Sequence, residues 1–139
     1  MANKKFPKRE LFVAAIEAWK DRLWANDWLI DLRDDPDKLG KDGGDALAEI
    51  VPNYPYLRAV LNYDGSAMDS MEDGDIDTAA LHEVCHLVSA PLVHLLAKVI
   101  NAAVPRGPDE VYGEWLKDAN EQVATHIERI ARKGVKEWA

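Results

Sequence analysis

The sequence predicts an α+β fold in a single domain, residues 1–139, built from an N-terminal helix, a sheet of about three strands, a motif-bearing helix and a long C-terminal helix. Three observations predict it. Helical apolar spacing opens and closes the chain, short alternating segments fill residues 28–63, and an apolar, helix-like run at 79–90 carries the sequence His82-Glu83-Val84-Cys85-His86. A chain of 139 residues with 47% hydrophobic and 30% charged residues is long enough to bury one core.

The elements follow in chain order. Pro7 to about Asn26 predicts an amphipathic helix, with Phe12, Ile16, Trp19 and Leu23 on one face. Pro7 suits a first helical turn and Asn26-Asp27 a stop. Trp28 to Arg33 alternates as a strand, with Trp28, Ile30 and Leu32 on one side. Asp34 to Gly44 predicts a loop, and Ala46 to Val51 a short strand ending at Pro52. Tyr56 to Tyr63 predicts a third strand, with Leu57, Ala59, Leu61 and Tyr63 opposite Arg58, Val60 and Asn62.

Gly65 to Asp77 predicts a polar loop. Its acids Asp69, Asp73 and Asp75 suggest a calcium loop, but the required oxygen ligands are Met71 and Ala80 here, so none is expected. Asp77, or Asp75, suits the N-cap of a motif helix from Thr78 to Ala90, which Pro91 should stop. Ala80, Leu81, Val84, Leu87 and Val88 form its apolar arc, with His82, His86 and Glu83 elsewhere. A separate helix is expected over 91–103, carrying Val93, Leu96, Ala97 and Ile100. After Pro105, Gly107 and Pro108, a long helix should run from Asp109 to about Lys133. Its stripe is Tyr112, Leu116, Ala119, Val123, Ile127 and Ile130, and Gly134 should end it. The remaining tail, Val135 to Ala139, is expected to pack simply or be disordered, with folding back into a cleft as autoinhibitor the alternative.

Composition excludes several functions. No run approaches the ~18 apolar residues of a membrane span, and the basic start lacks the apolar core of a secretory signal. Cys85 is the single cysteine, so no internal disulfide framework exists and a reducing cytoplasm is expected. A net charge of −8 argues against binding nucleic acid unaided. A monomer acting on a peptide or protein partner is the expectation.

Two histidines four apart on a helix project from one face and can share one metal ion. Zn²⁺ suits them, since it accepts imidazole nitrogens at tetrahedral corners and a catalytic site keeps one corner open. Glu83, one residue past His82, leans toward that corner, where a carboxylate can take a proton from water. Cys85 points to the side and predicts a small buried thiol.

His82-Glu83-Val84-Cys85-His86 resembles the HExxH motif of zincin metallopeptidases. The metzincin branch needs a third histidine six residues on, where this chain has Leu92, and a glycine where it has Ser89. Asn120-Glu121-Gln122-Val123-Ala124, 35 residues after His86, resembles instead the glutamate helix of gluzincins, and Glu121, Ala124 and Ile127 resemble the equivalent helix of ImmA/IrrE-type peptidase domains. With the order of elements, the resemblance is to the minimal gluzincins, the minigluzincins, possibly phage-related. It implies a zinc-dependent endopeptidase with His82, His86 and Glu121 as metal ligands, Glu83 as general base, and a substrate chain paired to an edge strand, expected at Tyr56–Tyr63. Glu114, Asp118, Glu128, His126 and His94 remain rivals to Glu121. His126 and Tyr112 are the candidate oxyanion donors, with Thr125 a candidate to orient the Glu121 carboxylate. A non-catalytic or latent zinc-binding interaction domain is the alternative function.

Overall fold

A computed structural model of the chain describes residues 7–39, 47–103 and 109–138, with the backbone alone described at 109–112 and 135–138. The fold is α+β. The first helix, α1 (Lys8–Arg22), begins directly after Pro7 and buries Phe12, Ile16 and Trp19. It ends four residues earlier than Asn26, because Trp24 turns into the left-handed region at φ 58° and the Ala25 N–H bonds back to the Lys20 carbonyl at 2.8 Å.

Three strands follow: β1 (Leu29–Asp34), β2 (Ala48–Asn53) and β3 (Arg58–Tyr63), in the spatial order β1-β3-β2. β3 runs parallel to β1, with Ile30 opposite Ala59, and antiparallel to β2, with Ile50 opposite Leu61. The buried face collects Ile50, Ala59, Leu61 and Tyr63, with Ile30 and Leu32 packed against it, and the ring of Tyr63 lies 5.3 Å from that of Phe12 on α1.

Two strand expectations are corrected. β2 lies two residues later than expected and includes Pro52; the missing donor is tolerated because β2 is an edge strand. β3 begins only at Arg58, because Pro55 sits in a 3₁₀ turn over Tyr54–Tyr56 and Leu57 leaves that turn at φ 50°. β3 is also the central strand. Both its edges are paired, so no incoming chain can add to it.

The expected polar loop after β3 is largely helical. A short helix, α2 (Gly65–Met68), is capped by the Asp64 carboxylate, which accepts from the Ala67 N–H at 3.1 Å. The motif helix, α3, runs unbroken over Asp73–Ala103. Its start at Asp73 lies five residues before Thr78, so neither Asp75 nor Asp77 caps it. Asp77 instead accepts a hydrogen bond from Trp19 Nε1 at 2.9 Å, which ties α3 to α1. Lys8 pairs with Asp73 at the same interface.

Pro91 does not stop α3. The preceding turns are anchored by Ile76, Ala80, Leu81, Val84 and Leu87, all buried, and this packing holds the helix through the proline. At 31 residues α3 is also long and apolar enough, by length and composition alone, to cross a membrane. The sequence predicts no such run, because Pro91 is expected to end the motif helix and the two halves join only in the structure. Its first half is core, whereas Leu92, Leu95 and Val99 beyond Pro91 are more than half exposed.

The last helix, α4 (Asp109–Trp138), packs against α3 and passes through Gly134, so residues 135–138 continue it rather than forming a tail that folds back. The expected stripe is not the buried one. Val123 and Ile130 are exposed, and the packed arc is Ala124 with Ile127 and Ala131. That rotation turns Glu121 and Glu128 toward α3.

Candidate metal centre

His82 and His86 stand one helical turn apart on α3, their rings 4.9 Å between centroids and nearly perpendicular. Both present Nε2 to one carboxylate on α4. His82 Nε2 lies 3.0 Å from Glu121 Oε2, and His86 Nε2 lies 3.2 Å from Glu121 Oε1. One ligand atom from each of His82, His86 and Glu121 can be chosen so that all three lie within 4.8 Å of one another, which is a geometry that could hold a metal ion. The sequence named these three residues. Glu121 remains open to solvent, its side chain 56% exposed, while His86 is 7% exposed at the floor.

The opposite nitrogens are also held. His86 Nδ1 lies 3.2 Å from Asn120 Oδ1, an oxygen that also accepts from Ser89 Oγ at 3.4 Å. His82 Nδ1 lies 3.4 Å from Glu128 Oε2. Acceptors face both nitrogens of each ring; in the tautomer with the proton on Nδ1, the Nε2 lone pairs point at the Glu121 carboxylate. In that tautomer two lone pairs and a carboxylate face one another, a donor set that could hold a metal ion. Burial lowers the His86 pKa, opposed by the Glu121 charge, which favours the neutral imidazole that ligates.

The sequence does not predict these contacts to the histidines; its candidate Thr125 concerned the Glu121 carboxylate. Asn120 and Glu128 orient the histidines. The signal existed, since Glu128 lies seven residues after Glu121 and hence on the same helical face, but it was weighed only as a rival ligand. The other rivals are elsewhere. Glu114 and Asp118 are exposed, and His94 packs its ring 5.5 Å from that of Tyr54. His126 is exposed on α4, where it shares with Glu121, Thr125 and Arg129 a shallow depression. The Tyr112 side chain lies outside the described residues.

Glu83 is buried beside the histidines, and its Oε2 accepts the Ile50 N–H of β2 at 2.9 Å. Burial raises its carboxyl to about 8; the Glu121 and Glu49 charges add to the rise, and the Ile50 N–H opposes it. Cys85 is buried, as expected, and burial first, then the Glu128 and Glu83 charges, push its thiol up to about 12. At neutral pH it stays a neutral thiol and does not compete as a ligand.

The triad sits between two depressions that follow β2. One, of about 240 Å³, is lined by Pro52, Tyr54, His86, Val93 and His94; the other, of about 330 Å³, is lined by Leu47, Ala48, Thr78, His82, Glu83 and Glu128. A larger depression of about 460 Å³ lies on the opposite, solvent face of the sheet, around Leu29, Asp31 and Val60, and holds no cluster of ligating side chains among the described residues. No family model, no curated protein and no solved structure matches the chain.

Proposed function

We propose that the chain is a zinc-dependent peptidase. The observation that carries this reading is the convergence of His82 Nε2, His86 Nε2 and the Glu121 carboxylate in a partly open cleft, with a buried carboxylate, Glu83, next to His82 in sequence. Two imidazoles and one carboxylate are a donor set suited to Zn²⁺ with a free position. Bound there, Zn²⁺ would supply the Lewis acidity that makes water acidic near neutral pH and polarises a carbonyl. Glu83 is the proposed general base. Burial raises its carboxyl to about 8 without a metal, and a bound cation would favour its ionised form. That form can take a proton from water and return it to the leaving amine. His126, on the Glu121 side of α4, is the described candidate donor to the developing oxyanion. The likeness to minigluzincins remains part of the same proposal, supported by the motif, the order of elements and the glutamate on the final helix.

The substrate chain would run along β2, the edge strand bordered by both depressions, rather than β3. One observation favours the alternative of a latent or non-catalytic metal-binding domain: the Ile50 N–H that β2 could offer a substrate is held by Glu83, and Pro52 has none to offer. The two readings separate in one experiment. Metal content by elemental analysis and cleavage of an unfolded casein substrate would be measured for wild type, His86→Ala and Glu83→Gln, with and without a chelator. The peptidase reading expects zinc in wild type and Glu83→Gln, none in His86→Ala, and cleavage only in metal-loaded wild type. Bound zinc without cleavage in wild type would favour the non-catalytic domain.

A further inference from the structure

His82 is held by a chain of contacts that reaches across three helices. Its Nδ1 faces Glu128 Oε2 at 3.4 Å, and the other oxygen of Glu128 lies 4.0 Å from Arg132 Nε, one turn further along α4. Arg132 Nη2 in turn meets Thr78 Oγ1 at 2.5 Å and Asp77 Oδ2 at 3.5 Å, both on α3, one turn before His82. Asp77 is itself fixed by Trp19 Nε1 of α1. We infer that Arg132 is a positioning residue of the metal centre, acting through Glu128 on the His82 imidazole. The inference rests on the reading of His82, His86 and Glu121 as metal ligands.

The physical case has two parts. Glu128 and Glu121 both face His82, and Glu128 lines one depression with Glu83, so like charges surround the place where His82 needs an acceptor. Arg132 places a cation beside it, and its planar group reaches Glu128 on one edge and α3 on the other. The guanidinium is oriented by its hydrogen bonds to Thr78 and Asp77 and meets Glu128 as an ion pair, whereas a lysine cannot present two edges of one planar group. The side chain of Glu128 is 16% exposed, so the interaction is less screened than a surface pair would be. An acceptor fixed at Nδ1 keeps the Nε2 lone pair of His82 aimed at the shared site, and loss of such a partner commonly weakens metal binding by about 10- to 100-fold.

Co²⁺ titrated into the full chain, followed by its visible absorption and by competition with a chelator, tests the assignment. Arg132→Met, which keeps the packing of the stem, and Glu128→Gln should each weaken Co²⁺ binding by about tenfold and shift the absorption bands. Arg132→Lys should recover part of the affinity. If Arg132 works through Glu128, the double variant binds no worse than Glu128→Gln alone. Additive losses in the double variant, or an Arg132→Met protein with wild-type affinity and spectrum, would overturn the inference and leave the metal reading intact. Should Arg132→Met not fold, wild-type behaviour in Glu128→Gln overturns it equally. Failure of the wild-type chain to bind Co²⁺ at all would overturn the metal reading itself, and this inference with it, before any variant is compared.

Discussion

At the scale of single residues, Glu83 sets the most specific expectation. Its carboxyl titrates near 8 in the folded metal-free protein against an ordinary value of 4.5, so folding favours the protonated form. Stability from this group is therefore fully present below about pH 4.5 and is lost as pH rises through about 8, a change on the order of a few kcal/mol. Glu83→Gln keeps an oxygen for the Ile50 N–H and removes the titration. Thermal unfolding of the metal-free proteins from pH 5 to 9 should show the variant gaining on wild type as pH increases, and parallel curves would refute the assignment. The residues that could bear chemistry were legible for a simple reason: spacing on one helix fixes which side chains share a face, so His82, Glu83 and His86 could be named without a fold. Glu121 was reached through a resemblance. Asn120 and Glu128 were not assigned as partners because their contacts depend on how α4 is rotated against α3, and that rotation is set by packing between helices.

At the scale of elements, residues that usually punctuate helices misled the reading, and the reason is energetic. Pro91 and Gly134 each impose a local cost, about 3 and about 1 kcal/mol respectively, that neighbouring packing and hydrogen bonds can exceed. Gly134 lies inside α4 with nothing within 4 Å of where a Cβ would stand, and its φ is not positive. The helix continues there despite the glycine. Gly134→Ala should thus stabilise the protein by about 0.4–1 kcal/mol, measured by denaturant unfolding at constant m-value. Destabilisation would mean that the glycine is needed for its conformation. Strand positions were legible to within two residues because alternation reports burial directly. Their order was not, because β2 and β3 carry similar patterns and only the assembled sheet distinguishes an edge from a centre.

At the scale of the whole molecule, the candidate site joins two parts held in very different ways. α3 is anchored in the core by α1 and the sheet, through Leu81, Val84, Leu87 and their neighbours. α4 docks on it with Ala124 as the only fully buried side chain among its described residues, helped by Ile127, Ala131 and the polar contacts of Glu121, Glu128 and Arg132. A metal shared by His82, His86 and Glu121 would therefore be a cross-link between a firmly held helix and a loosely held one. Ligand binding to the folded state alone stabilises it by about 2.7 kcal/mol at one hundred times Kd, and here the gain should concentrate where packing is weakest. Hydrogen exchange should accordingly slow on zinc addition along the middle of α4, residues 117–132, more than along the core half of α3. The same addition should raise the unfolding temperature by several degrees in wild type and leave His86→Ala unchanged. Equal protection of both helices, or of neither, would mean that the three side chains meet without acting as a joint.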